Sequence, residues 1–149
     1  MEIRVQQQPF AFGAEAEAFV ARQAGMGAVV TFSGIVRDVA AGLEVMEIEH
    51  YPGMTENALS EIGREAQRRW QLGDVLIIHR YGPMRPEEMI MMVATSAPHR
   101  KDAFAAADFL MDYLKSRAPF WKKEKTRAGT GWVAAREEDE QALERWTSG

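Results

Sequence analysis

The segment Gly73–Arg117 (GDVLIIHRYGPMRPEEMIMMVATSAPHRKDAFAAADFLMDYLKSR) decides the fold class. Gly73-Asp74 is a turn signal, and Val75–His79 is an apolar run of strand length. Tyr81-Gly82-Pro83 turns the chain into a second apolar run near Met89–Thr95, so the two runs are expected to pair. The period then changes from strand-like to helical. From about Pro98 to Arg117, Ala103, Ala107, Leu110, Met111 and Leu114 recur on one helical face, and Pro119 blocks continuation. Strands and helices mixed in this way predict an α+β domain.

Outward from that segment the same signals repeat. Thr55–Trp70 places Leu59, Ile62, Ala66 and Trp70 at helical spacing with Arg64, Arg68 and Arg69 between them. Glu44–Tyr51 alternates as a strand closed by Pro52-Gly53, and Gly27–Ser33 (GAVVTFS) reads as a buried strand. Gly34–Leu43, with glycine at its start and near its end, reads as a loop. Glu2–Gln6 is a weak strand and Gly13–Gln23 a short helix ending before Gly25. Beyond Arg117, Pro119–Gly131 is expected as a loop, Trp132–Ala134 as a short strand and Glu137–Trp146 as a terminal helix. The order β-α-β-β-α-β-β-α-β-α describes one domain over residues 1–149, a mixed or antiparallel sheet with packed helices.

Composition narrows the chemistry. A chain of 149 residues, 46% hydrophobic, buries roughly 70% of its unfolded surface around one core. It contains no cysteine, which excludes disulfides, thiolate metal sites and any persulfide or thioester on the chain itself. Sulfur chemistry would need imported sulfur. No apolar stretch has membrane-span length, and Met1–Gln8 lacks the pattern of a signal peptide, so a soluble cytoplasmic protein is expected. The net charge of −4 argues against a general nucleic-acid binder. Yet Lys115, Arg117, Lys122, Lys123, Lys125 and Arg127 face only Glu124 within one short stretch, placing +5 there and leaving −9 elsewhere. Such a patch suits an anionic ligand, although an isolated charge run is more often a solvated basic loop.

Individual residues carry parallel readings. His99, Arg100 and Lys101 put positive groups at the positive end of a helix, an arrangement suited to a phosphate or carboxylate or merely screened by water. Lys115 flanks the apolar face of that helix, either as a base, nucleophile or anion stabiliser or as a snorkelling surface lysine. Phe120-Trp121-Lys122-Lys123 either frames a flat heterocycle or anchors the loop. Arg37 lies in a glycine-flanked loop after a buried strand, a position that suits a binding group but that by itself is more often held by an exposed arginine with no role. His50 and His79 have no metal-ligand spacing and read as structural or surface histidines. Met84, Met89, Met91 and Met92 read as core or subunit interface.

Six stretches, taken together and in order, resemble one family: Gly27–Asp38 (GAVVTFSGIVRD), Ile48–Met54 (IEHYPGM), Ile78–Gly82 (IHRYG), Ser96–Phe104 (SAPHRKDAF), Met111–Glu124 (MDYLKSRAPFWKKE) and Trp132–Arg136 (WVAAR). The family is the catalytic (large) subunit of molybdopterin synthase, MoaE. One departure is Pro86-Glu87-Glu88, where a glycine is expected after the proline. The resemblance implies a hammerhead-like α+β domain that forms a homodimer. It also implies a heterotetramer in which each protomer takes the C-terminal Gly-Gly thiocarboxylate of a small ubiquitin-like carrier. Two such sulfurs convert cyclic pyranopterin monophosphate (precursor Z) into the molybdopterin dithiolene, and no metal or other cofactor is expected.

By the same resemblance the active-site lysines are Lys115 and Lys122, with Lys123 and Glu124 beside them. Ile35, Val36 and Arg37 form the substrate loop, and His99 and Arg100 the His-Arg pair. Phe32 and Met111 are pocket walls, and Arg136 reaches across the dimer. Two rival readings remain at this point: a nucleotide- or RNA-binding module that uses Phe120–Lys125 for stacking, and a non-catalytic dimeric scaffold for a ubiquitin-like partner.

Overall fold

The computed structural model describes residues 1–133 and 137–147. Its elements, in chain order, are β1 (Glu2–Gln6), α1 (Phe12–Ala21), β2 (Ala28–Ile35), β3 (Leu43–His50), α2 (Met54–Trp70), β4 (Asp74–Arg80), β5 (Gly82–Met84), β6 (Met89–Ala97), α3 (Arg100–Ser116), β7 (Phe120–Thr126), β8 (Gly129–Trp132) and α4 (Glu137–Glu144). They build two four-stranded sheets with packed helices, ordered β1-β4-β6-β2 and β5-β3-β7-β8. The α+β expectation holds, with the expected sheet divided in two.

The first sheet is organised around the two apolar runs. β4 and β6 pair antiparallel as expected, with Ile77 opposite Val93. β1 adds parallel to β4, and β2 pairs antiparallel with β6. Every residue from Val75 to Arg80 and from Ile90 to Ala97 is buried, so these strands are covered on both faces and have no need of polar alternation. Met84, Met91 and Met92 lie in the core, in line with the reading of the methionine cluster.

Helices α2 and α3 supply the apolar layer. The backbone N–H of Gly53 donates to Glu56 Oε2 at 2.6 Å, tying down the start of α2. Buried Leu59, Ile62 and Ala66 then meet Phe109, Leu110 and Leu114 of α3 together with Val75, Ile77 and Val93 of the sheet. The inward face of α3 also includes Ala106 and Phe109, while Met111 is only half-buried. Beyond α4, Trp146 meets Trp70 and Phe109 edge-on, and its indole N–H donates to Asp112 Oδ2 at 2.5 Å.

Four expectations need correction. Pro119–Gly131 is not a loop: β7 and β8 form a hairpin there, and β7 also pairs with β3. Its charged residues concealed the alternation, because both faces of β7 carry polar groups. Gly34 and Ile35 belong to β2, with a register shift between them, so the loop starts at Val36. The expected turn at Gly82-Pro83 is itself the short edge strand β5, paired with β3. The expected strand at Trp132–Ala134 is the end of β8 at Trp132; its last residue lies outside the described residues.

Candidate active site

The inner face of the second sheet is set by register. His50, Ile48 and Met46 of β3 lie opposite Phe120, Lys122 and Glu124 of β7. With a side-chain period of two, these six residues share one face, and Ile48, only 1% exposed, identifies it as the inner one. Trp121, Lys123 and Lys125 therefore take the outer face. There Lys123 Nζ sits 5.0 Å from the centre of the Trp132 ring, and Lys125 pairs loosely with Glu44 at 3.7 Å. The basic stretch is thus divided: Lys122 and Glu124 turn inward, while Lys123 and Lys125 turn out. Arg117 is occupied by Glu140 at 2.8 Å.

The inner face meets the end of β4 at His79. This imidazole is buried and stacks on Phe120, with ring centres 3.8 Å apart and planes 17° from parallel. Its Nδ1 lies 2.7 Å from the carbonyl oxygen of Arg80. Burial, then the neighbouring charges of Lys122, His50 and Lys115, push its pKa down to about 3, against the raising effect of the Arg80 hydrogen bond. Lys122 lies on the same inner face two residues beyond Phe120, and Lys115, in the last turn of α3, comes to the same end of the molecule. Lys115 is exposed and Lys122 half-buried. His50 stands beside them, 4.2 Å from the Tyr81 ring, with its buried Nδ1 unpartnered among the described residues.

Arg37 approaches the same end of the molecule. β2 runs antiparallel to β6 and ends at Ile35 opposite Met89, close to where His79 lies opposite Met91. Val36 is 1% exposed; Ile35 and Arg37 are exposed. Phe32 lies on β2 and is 42% exposed.

His99 and Arg100 are elsewhere. α3 starts only three residues after β6 ends and returns along the sheet, with Thr95 Oγ1 donating to the Ala103 carbonyl at 2.8 Å. From Arg100 to Lys115 the helix travels roughly 22 Å, at about 1.5 Å per residue. One protomer thus brings Lys115, Lys122 and the Arg37 loop to one end and puts His99 and Arg100 at the other. At that second end Gly27, Ala28, Pro98, His99, Arg100 and Lys101 line an open cleft of about 480 Å³. Gly27 is required there, because a Cβ would fall 2.3 Å from the Pro98 carbonyl oxygen. No side chain caps the start of α3, so its first-turn N–H groups, with Arg100 and Lys101 beside them, are available to an anion.

Arg136 lies outside the described residues. Among the described residues no group of His, Asp and Glu has metal-site geometry, and no helix is long and apolar enough to cross a membrane. Phe120 is committed to His79, which removes it from the base-stacking role of the nucleic-acid reading. The burial and stacking of His79 were not legible in the sequence because its neighbours come from distant segments. The only local signal was a histidine ending an apolar strand.

Comparison with known proteins agrees with this architecture. The family model described as MoaE protein matches residues 5–117. The molybdopterin synthase catalytic subunit of Cereibacter sphaeroides is 64% identical over 146 residues, covering 98% of this chain and 100% of that protein. Among solved structures, the molybdopterin biosynthesis MoaE protein of Burkholderia ambifaria superposes with a TM-score of 0.84 at 52% identity, covering 99% of each chain. Molybdopterin synthase from Staphylococcus aureus superposes with a TM-score of 0.80 at 32% identity, over 88% of this chain and 96% of that one.

Proposed function

The chain belongs to the MoaE family, the catalytic subunits of molybdopterin synthase in molybdenum cofactor biosynthesis, and from that premise we propose how its residues carry the reaction. A small carrier protein delivers sulfur as a C-terminal Gly-Gly thiocarboxylate, and the sulfur is installed on cyclic pyranopterin monophosphate. The observation that carries this reading is that strand register turns Lys122 inward at the end of the sheet that α3 reaches with Lys115 and that the loop after β2 reaches with Arg37. Two ammonium groups and a guanidinium brought to one end of the molecule suit a cleft that must hold two anions, the thiocarboxylate and the cyclic phosphate.

Arg37 grips the substrate near the lysines, with Ile35 and Val36 shaping its loop, and Glu124, on the lysine face, meets the pterin. Phe32 and Met111 bound the pocket. Lys115 and Lys122 stabilise the charge that develops as sulfur attacks and the carrier's acyl group is transferred; water then releases the carrier. Because His99 and Arg100 sit a helix length from Lys115, they serve a site completed by a second protomer, as does Arg136. Lys123, on the outer face, acts from the rim. The assembly is a homodimer with one carrier on each protomer.

The direct test is mass spectrometry of the pterin after incubation with this protein and thiocarboxylated carrier. Two sulfurs should be gained, and a carrier lacking its terminal glycine should give none. Normal sulfur incorporation with the shortened carrier would overturn tail insertion.

A further inference from the structure

Arg80 ends β4, and its side chain is only 7% exposed. A guanidinium so placed carries a large desolvation cost unless its N–H groups are met. Its Nε donates to the Gln7 carbonyl at 2.9 Å, and its Nη1 donates to the Met89 carbonyl at 3.2 Å. Its carboxylate partner among the described residues is Glu88, whose Oε1 lies 3.4 Å from the same Nη1. The reaction as proposed above uses neither residue.

Glu88 also closes a turn. Its Oε2 accepts the Arg85 backbone N–H at 2.6 Å, and its own N–H donates to the Arg85 carbonyl at 3.2 Å. Arg85-Pro86-Glu87-Glu88 is therefore a β-turn with proline second and a left-handed residue, at φ +77°, third, as in a type II turn. That third place favours glycine, so a glutamate there leaves the turn dependent on ties from outside it. Arg80 supplies such a tie from the core. On its other side the turn exchanges two backbone hydrogen bonds with Val36, at 2.7 and 2.8 Å.

We propose that Arg80 and Glu88 are positioning residues for substrate binding: they lock the turn, and the turn holds Val36 so that Arg37 projects in one direction. The inference rests on the reading of Arg37 as a substrate-binding residue given above. Asp38 fixes the far side of Arg37, its Oδ1 accepting the N–H groups of Val39 and Leu43 at 2.8 and 2.7 Å. The near side depends on Val36. An arginine that meets a phosphate with two parallel hydrogen bonds needs its backbone held at both sides.

Hydrogen exchange of backbone amides in the intact protein tests the lock without reference to activity. In Glu88→Ala the Val36 and Glu87 amides should exchange about tenfold faster or more, while Leu110 in α3 stays within about twofold. Unchanged exchange at Val36, or an equal rise at Leu110, would overturn the proposal. If the alanine variant fails to fold, Glu88→Gln, which weakens the same tie, is read by the same criterion. Turnover supplies the second arm. Glu88→Ala should raise KM for cyclic pyranopterin monophosphate about fivefold or more, with kcat within about threefold and carrier affinity within about twofold. In an Arg37→Ala background the same substitution should change KM by less than about twofold, because it acts through Arg37. A wild-type KM in Glu88→Ala, or an equal rise in both backgrounds, would overturn the role. Failure of the wild-type protein to sulfurate the pterin would instead overturn the sulfur-transfer reading, and hydrogen exchange would still decide the lock.

Discussion

The backbone N–H of Glu87 donates to the carbonyl oxygen of Val36 at 2.7 Å, and the Val36 N–H donates in turn to the Glu88 carbonyl at 2.8 Å. The turn after Pro86 thereby grips the residue immediately before Arg37. Glu87 holds this geometry with φ at +77°, the left-handed region that favours glycine. This is the place where the sequence departs from the expected proline-glycine. Glutamate bears the strain because both backbone hydrogen bonds and the Arg85 N–H to Glu88 Oε2 bond, at 2.6 Å, fix the turn.

Glu87→Gly should therefore relieve strain without altering the turn. Its gain is about 1 kcal/mol, reduced somewhat by the extra freedom of glycine in the unfolded chain. Chemical denaturation should show a higher midpoint at unchanged m-value. A lower midpoint would mean that the Glu87 side chain contributes something its exposed position does not suggest.

The buried histidine makes stability pH-dependent. In the unfolded chain an imidazole takes up a proton near pH 6.5, whereas His79 in the folded protein stays neutral until about 3. Between those values the unfolded state binds the extra proton, so stability falls as the pH falls. The loss approaches about 1.4 kcal/mol per pH unit below 6.5. Urea denaturation at pH 7 and pH 5 should show a drop that is smaller by about 2 kcal/mol in His79→Gln. Equal drops in the two proteins would mean that His79 titrates normally in the fold.

Lys115 is exposed on the last turn of α3, where the neighbouring Leu114 contacts the core. Lys115→Ala should cost on the order of 0.5 kcal/mol in stability, because no cavity forms and alanine suits a helix. Turnover should fall on the order of a hundredfold if the ammonium stabilises charge in the transition state. Lys115→Arg divides the mechanism: substantial activity indicates charge stabilisation, and near-complete loss indicates proton transfer or strict geometry. Single-turnover measurements on folded variants with carrier bound separate these from binding effects.

The roughly 22 Å along α3 between Arg100 and Lys115 predicts complementation across protomers. Lys115→Ala and His99→Ala homodimers should each be impaired. A mixed dimer should recover one intact site, with up to about half of wild-type turnover per dimer. Purified heterodimers carrying two different affinity tags provide the measurement. No recovery would place His99 and Lys115 in the same site of one chain or remove His99 from catalysis.

Much of the fold was legible because hydrophobic periodicity is local. The runs Val75–His79 and Met89–Thr95 and the helical faces around Leu59 and Leu110 each follow from a few neighbouring residues, and the structure keeps all of them. β7 was not legible. Its residues Phe120–Thr126 alternate between an inner face that holds Phe120 and Lys122 and an outer face that holds Trp121 and Lys123, and both faces are polar enough to resemble a loop.

The sequence by itself determined the helices and the strands of the first sheet, the absence of any sulfur nucleophile and, through six ordered stretches, the family. Only the tertiary structure decided that Lys122 turns toward His79 while Lys123 turns away, since strand register with β3 sets the face of each residue. It alone also decided that Lys115 and His99 occupy opposite ends of one helix layer. That separation follows from the tight return of α3 along β6, a packing relation between segments that no local pattern of residues contains.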